Sequence, residues 1–160
     1  SERGGWLQIA SDLDLKLFAA IRLARILLPG MKARRFGRII NILNTGAKAP
    51  PAEGAPTAVS RAAGMALTKV LSAEGAAHNV LVNGMLVGKI ESDQWVRRHT
   101  AAGGSDSMED YYAKMGAALP MGRLGTAEEF ANMACFLASD AGSYITGAAI
   151  NVDGGLCPVL

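Results

Sequence analysis

Few side chains in this 160-residue chain have the type and spacing that chemistry needs. The two histidines, His78 and His99, stand far apart. No His, Cys or carboxylate group shows metal-ligand spacing, so no metal is expected. His78 follows a predicted helix end and reads as a C-terminal cap or a surface residue. His99 lies beside Arg97 and Arg98, where two readings stay open: the rim of a ligand entrance or a plain surface position. Two cysteines, Cys135 and Cys157, are too few for a disulfide framework. Cys135 falls in an apolar helical run, where a buried, inert thiol is the expectation. The basic run Lys32, Arg34, Arg35 and Arg38 lacks the interleaved aromatic residues of a nucleic-acid platform and reads as a solvated helix end, so no nucleic-acid partner is expected.

The elements that must position these groups follow from apolar periodicity. Leu7–Lys32 is a predicted helix, with Leu13, Leu17, Ala20, Ile21, Ala24 and Leu28 at spacings of three and four. Ser11 and Asp12 offer an alternative N-cap for a shorter helix, and Pro29 is expected to kink or end it. Arg38–Leu43 is a β-branched run and a predicted buried strand. Asn44–Pro56 reads as loop. Thr57–Gly75 returns to helix, with a broad face of Ala62, Ala63, Ala66, Leu67, Val70 and Leu71. Asn79–Met85 is a second strand, broken by Val87–Gly88. Residues 89–119 are polar and irregular, with helical patterns near Ser92–His99 and Ser107–Met115. Thr126 and Glu129 form a capping box at the start of a helix ending near Ser139. Gly147–Val152 is a third strand.

Half the residues are hydrophobic and 19% are charged, which excludes global disorder. No apolar run reaches the ~20 residues that span a bilayer, because Arg22 and Arg25 interrupt Leu17–Leu28. A net charge of +2 argues neither for nor against a polyanionic partner. Nothing at the N-terminus reads as a signal peptide, so a cytoplasmic location is the default expectation. Continuous apolar strands alternating with helices imply an α/β fold, a parallel sheet covered on both faces. Three strands make a thin sheet against the usual ~4–6, so something should cover an exposed edge.

Three stretches resemble the short-chain dehydrogenase/reductase family. Pro120–Gly155 is similar to its C-terminal third, with the RLG turn at Arg123–Gly125, FLASD at Phe136–Asp140, SYITG at Ser143–Gly147 and VDGG at Val152–Gly155. Leu81–Ile90 is similar to the strand and turn that end in Pro-Gly, with Val87 in place of the Pro. Asp12–Lys16 followed by Gly37–Thr45 is similar to a long helix leading into the central strand. The resemblance implies a Rossmann-like, doubly wound parallel sheet of which this chain, one domain over residues 1–160, carries the last three strands. The family's phosphate-binding turn, T-G-x-x-x-G-x-G, belongs to an earlier βα unit and does not occur in this sequence. A piece of a longer chain is therefore the expectation.

The resemblance also implies a site. The family uses Asn, Ser, and Tyr with Lys four residues later, the last two on one helix face. Here Asp14 falls at the Asn position, Asn44 at the Ser position, Thr57 at the Tyr position and Arg61 at the Lys position. Tyr111, Tyr112 and Tyr144 are followed four residues on by Met115, Gly116 and Ala148, so none rebuilds the pair. By resemblance, Thr57, Arg61, Val87, Gly88, Ile90 and Ser92 would hold NAD or NADP. Plainer alternatives stay open: a helix N-terminal turn with a solvated Arg61, a turn-forming Asn44, and a solvated Asp14. Residues 89–119 correspond to the family's substrate lid, with Trp95, Tyr111, Tyr112 and Met115 as apolar lining and Arg97 or Arg98 as an anion contact. A loop that only covers the core is the alternative. The implied function is an NAD(P)-dependent oxidoreductase for a small carbonyl or alcohol substrate, with an altered site and a homodimeric or homotetrameric assembly. The alternative is a non-catalytic member that binds a dinucleotide or small ligand, or acts through assembly.

Overall fold

A computed structural model describes residues 8–160. The first helix is already running at residue 8, so the expected start at Leu7 lies outside the described residues. Asp12 has helical dihedrals and makes no capping hydrogen bond, so the alternative N-cap at Ser11 and Asp12 is not used. The helix changes winding over Leu13–Phe18, which is π-helical, with the Ala19 amide donating to the Asp14 carbonyl five residues back. It then continues as α1, Ala19–Ala33, straight through Pro29. A proline removes one intrahelical hydrogen bond. Packing on both sides of it offsets that loss: Ala24, Leu28 and Met31 join the cluster of Leu71, Val80 and Val82.

Strand β1 (Gly37–Asn44) leads through a short 3-10 turn, Thr45–Ala47, and a proline-rich loop into α2 (Ala55–Ala76). This helix starts two residues before the expected Thr57, because Pro56 occupies its first turn, where a preset φ and a missing N–H cost nothing. Strand β2 (Val80–Val87) outlasts the expected end at Met85. Leu86 and Val87 still pair on both sides, with Leu43 and Asn44 of β1 and with Asn151 and Val152 of β3 (Ala149–Val152). Helices α3 (Asp93–Ala101) and α4 (Met108–Gly116) fall where the two short helical patterns placed them. Helix α5 spans Ala127–Ala138.

The sheet is parallel, in the order β1-β2-β3. Helices α1 and α2 cover one face and α5 the other. This is the Rossmann-like α/β arrangement that the sequence implies. Close approach of α2 to the sheet depends on two glycines. A Cβ on Gly64 would stand 2.8 Å from a Leu43 methyl, and one on Gly75 would stand 2.6 Å from the Val80 carbonyl oxygen.

Cys135 is exposed, contrary to the expected buried thiol. Helix α5 is apolar over a wider arc than the sheet covers. Its Leu137 is 1% exposed, while the neighbouring Phe136 is 40% exposed. On β1, Ile42 is likewise half open to solvent.

The capping box of α5 is formed in full. The Glu129 amide donates to the Thr126 hydroxyl oxygen at 3.2 Å, and the Thr126 amide donates to the Glu129 carboxylate at 2.9 Å. Arg123 grips the same carboxylate at 2.6 and 2.9 Å. These bonds, Arg123 first and the Thr126 amide second, hold the Glu129 carboxyl down to about 2 from an ordinary 4.5. A depressed carboxyl stabilises the fold above its unfolded pKa and loses that effect as pH falls through the folded value. The stability gap between the wild type and Glu129→Gln should therefore be constant above pH 4.5 and close as pH falls toward 2. Urea midpoints across that range check it; a gap that persists unchanged at pH 2 contradicts it.

Candidate functional site

The carboxyl ends of the parallel strands define where a ligand meets this fold. There, β1 delivers Asn44, β2 delivers Val87 and Gly88, and the first turn of α2 delivers Thr57. All four line one cavity of about 580 Å³. Its remaining wall includes Pro51, Glu53 and Gly54 from the loop before α2, and Leu156, Cys157 and Pro158 after β3. The tail is held in place by Asp153, whose carboxylate accepts from the Gly155 amide at 3.0 Å and the Cys157 amide at 2.8 Å. Gly88 makes this floor possible. Its amide donates to the Val152 carbonyl, and a Cβ there would meet the Asp153 Cα at 2.5 Å.

The polar atoms buried without a partner among the described residues include the Asn44 and Asn151 carboxamide oxygens, both acceptors at this end of the sheet, and Arg61 Nε, a donor on α2. Arg61 itself does not line the cavity. Arg61 stands one turn after Thr57 on α2 and donates through Nη1 to the Ile42 carbonyl at 2.5 Å. Its burial lowers the guanidinium pKa, and the negative charge of Asp12 opposes that shift.

Asp14 is not brought to these groups. It is exposed on the π-helical stretch and pairs with Arg22 at 2.7 Å. The carboxylate whose charge acts on Arg61 is that of Asp12, two residues earlier and only 6% exposed, with no hydrogen bond or ion pair between the two. Asp12 accepts from Lys16 at 2.5 Å and from Gln8 at 3.3 Å. Burial pushes its carboxyl up, but those hydrogen bonds and the charges of Lys16 and Arg61 outweigh burial and hold it below the ordinary value.

The other expected contacts separate. Ile90 lines a neighbouring cavity of about 330 Å³ with Arg123, Glu129 and Asp153, and bridges to Gly125. Ser92 is exposed at the start of α3 and lines neither cavity. Within 89–119 the Tyr111 and Tyr112 rings lie 6.3 Å apart. The His99 ring lies 4.6 Å from Tyr111 and fills the space over Gly104. Arg97 pairs with Asp93, and Arg98 lies over Trp95. Tyr112 lines a separate pocket with Glu91 and Met108. None of Trp95, Tyr111, Tyr112 or Met115 lines the cavity that holds Asn44 and Thr57. No cluster of three or more His, Cys, Asp or Glu residues is placed to hold a metal among the described residues. No helix among them is long and apolar enough to cross a membrane.

A family model described as enoyl-(acyl carrier protein) reductase matches residues 5–157. The chain belongs to the short-chain dehydrogenase/reductase family. Among curated relatives, the NADPH-dependent reductase BacG of Bacillus subtilis is 38% identical over 127 residues, covering 78% of this chain and 49% of BacG. The 3-oxoacyl-[acyl-carrier-protein] reductase FabG of Salmonella typhimurium is 35% identical over 144 residues, covering 90% of this chain and 55% of FabG. Among solved structures, an NADPH-bound short-chain oxidoreductase from Pseudomonas aeruginosa PAO1, described as containing an atypical catalytic center, superposes with a TM-score of 0.85. Its identity is 33%, and the match covers 95% of this chain and 58% of that one. The chain spans about half the length of the curated relatives it matches.

The sequence pointed to Asn44, Thr57, Val87 and Gly88 through their place in the family's motifs. It missed Cys157 and its neighbours, which follow the last strand and carry no motif. It missed Asp12 because family position drew attention to Asp14. The floor of the site is testable at Gly88. Gly88→Ala should cost about 1–3 kcal/mol of stability by driving a methyl group into the Asp153 backbone. Equilibrium unfolding reads it; a loss below half that range shows that the turn yields freely.

Proposed function

We propose that this chain carries the substrate-side half of a short-chain oxidoreductase that uses NAD or NADP on a small carbonyl or alcohol. The observation that carries the reading is two buried, unpartnered polar atoms, the Asn44 oxygen at the end of β1 and Arg61 Nε on α2. A buried donor and a buried acceptor each lack what a polar ligand supplies, and leaving both unmet is costly. The pair fits hydroxyl groups such as those of a nicotinamide ribose, which both donate and accept. Asn44 lines the cavity with Thr57, Val87 and Gly88, and Arg61 stands one turn beyond Thr57 on α2. BacG is an NADPH-dependent reductase and the Pseudomonas oxidoreductase is NADPH-bound, which supports the same cofactor class here.

When bound, the reduced nicotinamide supplies a hydride to the carbonyl carbon. The chain's own residues bind and orient. Arg61 holds ribose hydroxyls and cannot relay a proton, because guanidinium stays protonated. Asn44 donates through its amide nitrogen to the substrate oxygen. Thr57 is a far weaker acid than a phenol of pKa near 10. The oxygen left negative by hydride addition therefore takes its proton from water ordered by Asn44 and Thr57, and hydroxide leaves to solvent. The same replacements favour a second reading, a member that binds a dinucleotide without turnover. The description of the Pseudomonas structure as containing an atypical catalytic center supports a reading with an altered site. Residues 89–119 act as the substrate lid in either case. A cytoplasmic location accords with two free thiols.

The experiment titrates NADH and NADPH into the full chain joined to its natural upstream sequence, then measures consumption against a panel of carbonyls. Binding is expected, with Arg61→Ala weakening it and residues 89–119 gaining hydrogen-exchange protection. Turnover should be slow, because general acid–base help worth roughly 10²–10⁴-fold is lost. The triple change Asn44→Ser, Thr57→Tyr, Arg61→Lys should raise it. Absence of turnover with intact binding selects the second reading. Rapid turnover that survives Thr57→Ala overturns the site assignment.

Assembly is the remaining part of the proposal. Leu23, Ile26 and Leu27 on α1 and Val59 and Val70 on α2 are large apolar residues left open to solvent. These two helices are proposed to pack against their copies in a dimer or tetramer. Ala66→Arg, at an exposed position on α2, should lower the sedimentation coefficient. An unchanged profile argues against that interface.

A further inference from the structure

Three non-glycine residues among those described have left-handed backbones: Arg35, Glu53 and Asn79. Two of them are tied together at the amino end of the sheet. The Asn79 amide nitrogen donates to the Arg35 carbonyl at 3.0 Å, and Arg35 Nη2 donates to the Ala77 carbonyl at 3.2 Å. Glu53 has no such hold. It is the third residue of a turn, Pro51–Gly54, closed by the Gly54 amide donating to the Pro51 carbonyl at 3.1 Å, and its φ is 60°. Glycine or asparagine takes that conformation most readily. No ion pair or side-chain hydrogen bond engages Glu53 among the described residues. It lines the cavity of about 580 Å³ with Asn44, Thr57 and Gly88. Strained backbone positions cluster at ligand sites, where the strain serves the site rather than the fold. No Asp, Lys, Arg or His lines this cavity among the described residues, so Glu53 supplies its charge. Lys48, the nearest lysine in the chain, is engaged elsewhere. Its Nζ donates to the Ala149 carbonyl at 2.9 Å, and it lines a different cavity with Met65.

We propose that Glu53 sets the charge preference of the substrate: a carbonyl compound that carries a hydrogen-bond donor, hydroxyl or ammonium, is accepted, and one that carries a carboxylate is turned away. The inference rests on the reading of this cavity as the substrate site, and it names the substrate class within that reading. A carboxylate on the wall of a cleft acts more strongly than one on open surface, because low-dielectric walls focus its field. It accepts from a hydroxyl or ammonium in a charge-assisted hydrogen bond, roughly twice as strong as a neutral one. An anionic ligand would meet like charge, with no cation on the described wall to offset it. The residue that suits the turn is glycine, so a glutamate there exchanges some stability for selection.

The test uses three ketones of one size, hydroxyacetone, protonated aminoacetone and pyruvate, and the full chain joined to its natural upstream sequence, without nucleotide. Ligand-observed NMR titrations give the dissociation constants. The wild type should bind hydroxyacetone and aminoacetone about fivefold more tightly than pyruvate, and the gap should narrow in high salt. Glu53→Gln keeps the shape and removes the charge, and should bring all three within about twofold of one another. Glu53→Gly should do the same while raising the melting temperature, because glycine suits the left-handed position. Equal binding of the three by the wild type, a preference that survives Glu53→Gln, or no binding of any of them overturns the proposal. A parallel NADPH titration separates the two readings. If NADPH binds and the preference is missing, the proposal fails and the functional reading stands. If NADPH does not bind while the preference follows Glu53, the functional reading fails and the charge preference stands.

Discussion

The amide of Asn83 lies in the middle of the central strand at 2% exposure, and both of its ends are committed to the chain that enters β3. Its nitrogen donates to the Ile145 carbonyl at 2.8 Å, and its oxygen accepts from the Ala148 amide at 3.1 Å. A buried amide left unsatisfied costs more than its bonds gain, so this arrangement fixes one register and penalises its neighbours. The strand around it is closed to water, with Val80, Val82, Met85 and Leu86 at 0% exposure. From that fixed strand the register of β1 and β3 follows, and with it the height at which Asn44, Val87 and Val152 end together. The cavity lined by Asn44, Thr57 and Val87 exists because those ends are level.

The same logic extends to α2. Asn41 of β1 donates to the Thr68 hydroxyl oxygen at 2.8 Å, and that hydroxyl donates to the Gly64 carbonyl within α2. A polar rivet between strand and helix thus sits beside two glycines that let the backbones approach. Thr57 and Arg61 are carried by the first turns of a helix whose roll and height are set several turns away. Geometry at the site is a property of the sheet's interior more than of the loop around it.

How much of this was legible in the sequence differs by residue. The strands were legible because apolar runs such as Arg38–Leu43 have one stable use in a parallel sheet. Thr126 and Glu129 were legible because a capping box is a local contract between four consecutive residues. Pro29 misled, since its local cost is outvoted by packing that no window of sequence displays. Cys135 misled for a related reason: apolar periodicity marks a helix face that wants cover, and it does not say how far the cover extends. Asp12 was hidden by winding. A regular helix would have made Asp14 as good a guess, and nothing in Leu13–Phe18 announces a π turn. His99 and the arginines around it were ambiguous because their partners, Tyr111, Asp93 and Trp95, are supplied by the segment itself.

That change of winding reaches beyond the two carboxylates. A π turn accommodates one more residue than the α-helix on either side of it, so the two halves of the first helix keep separate angular clocks. Residues before Leu13 and residues after Phe18 obey different phase, and a single heptad drawn across both assigns one half to the wrong side. Each half can therefore drift in sequence to suit its own neighbour: the leading part the charged cluster near α2, the trailing part the sheet.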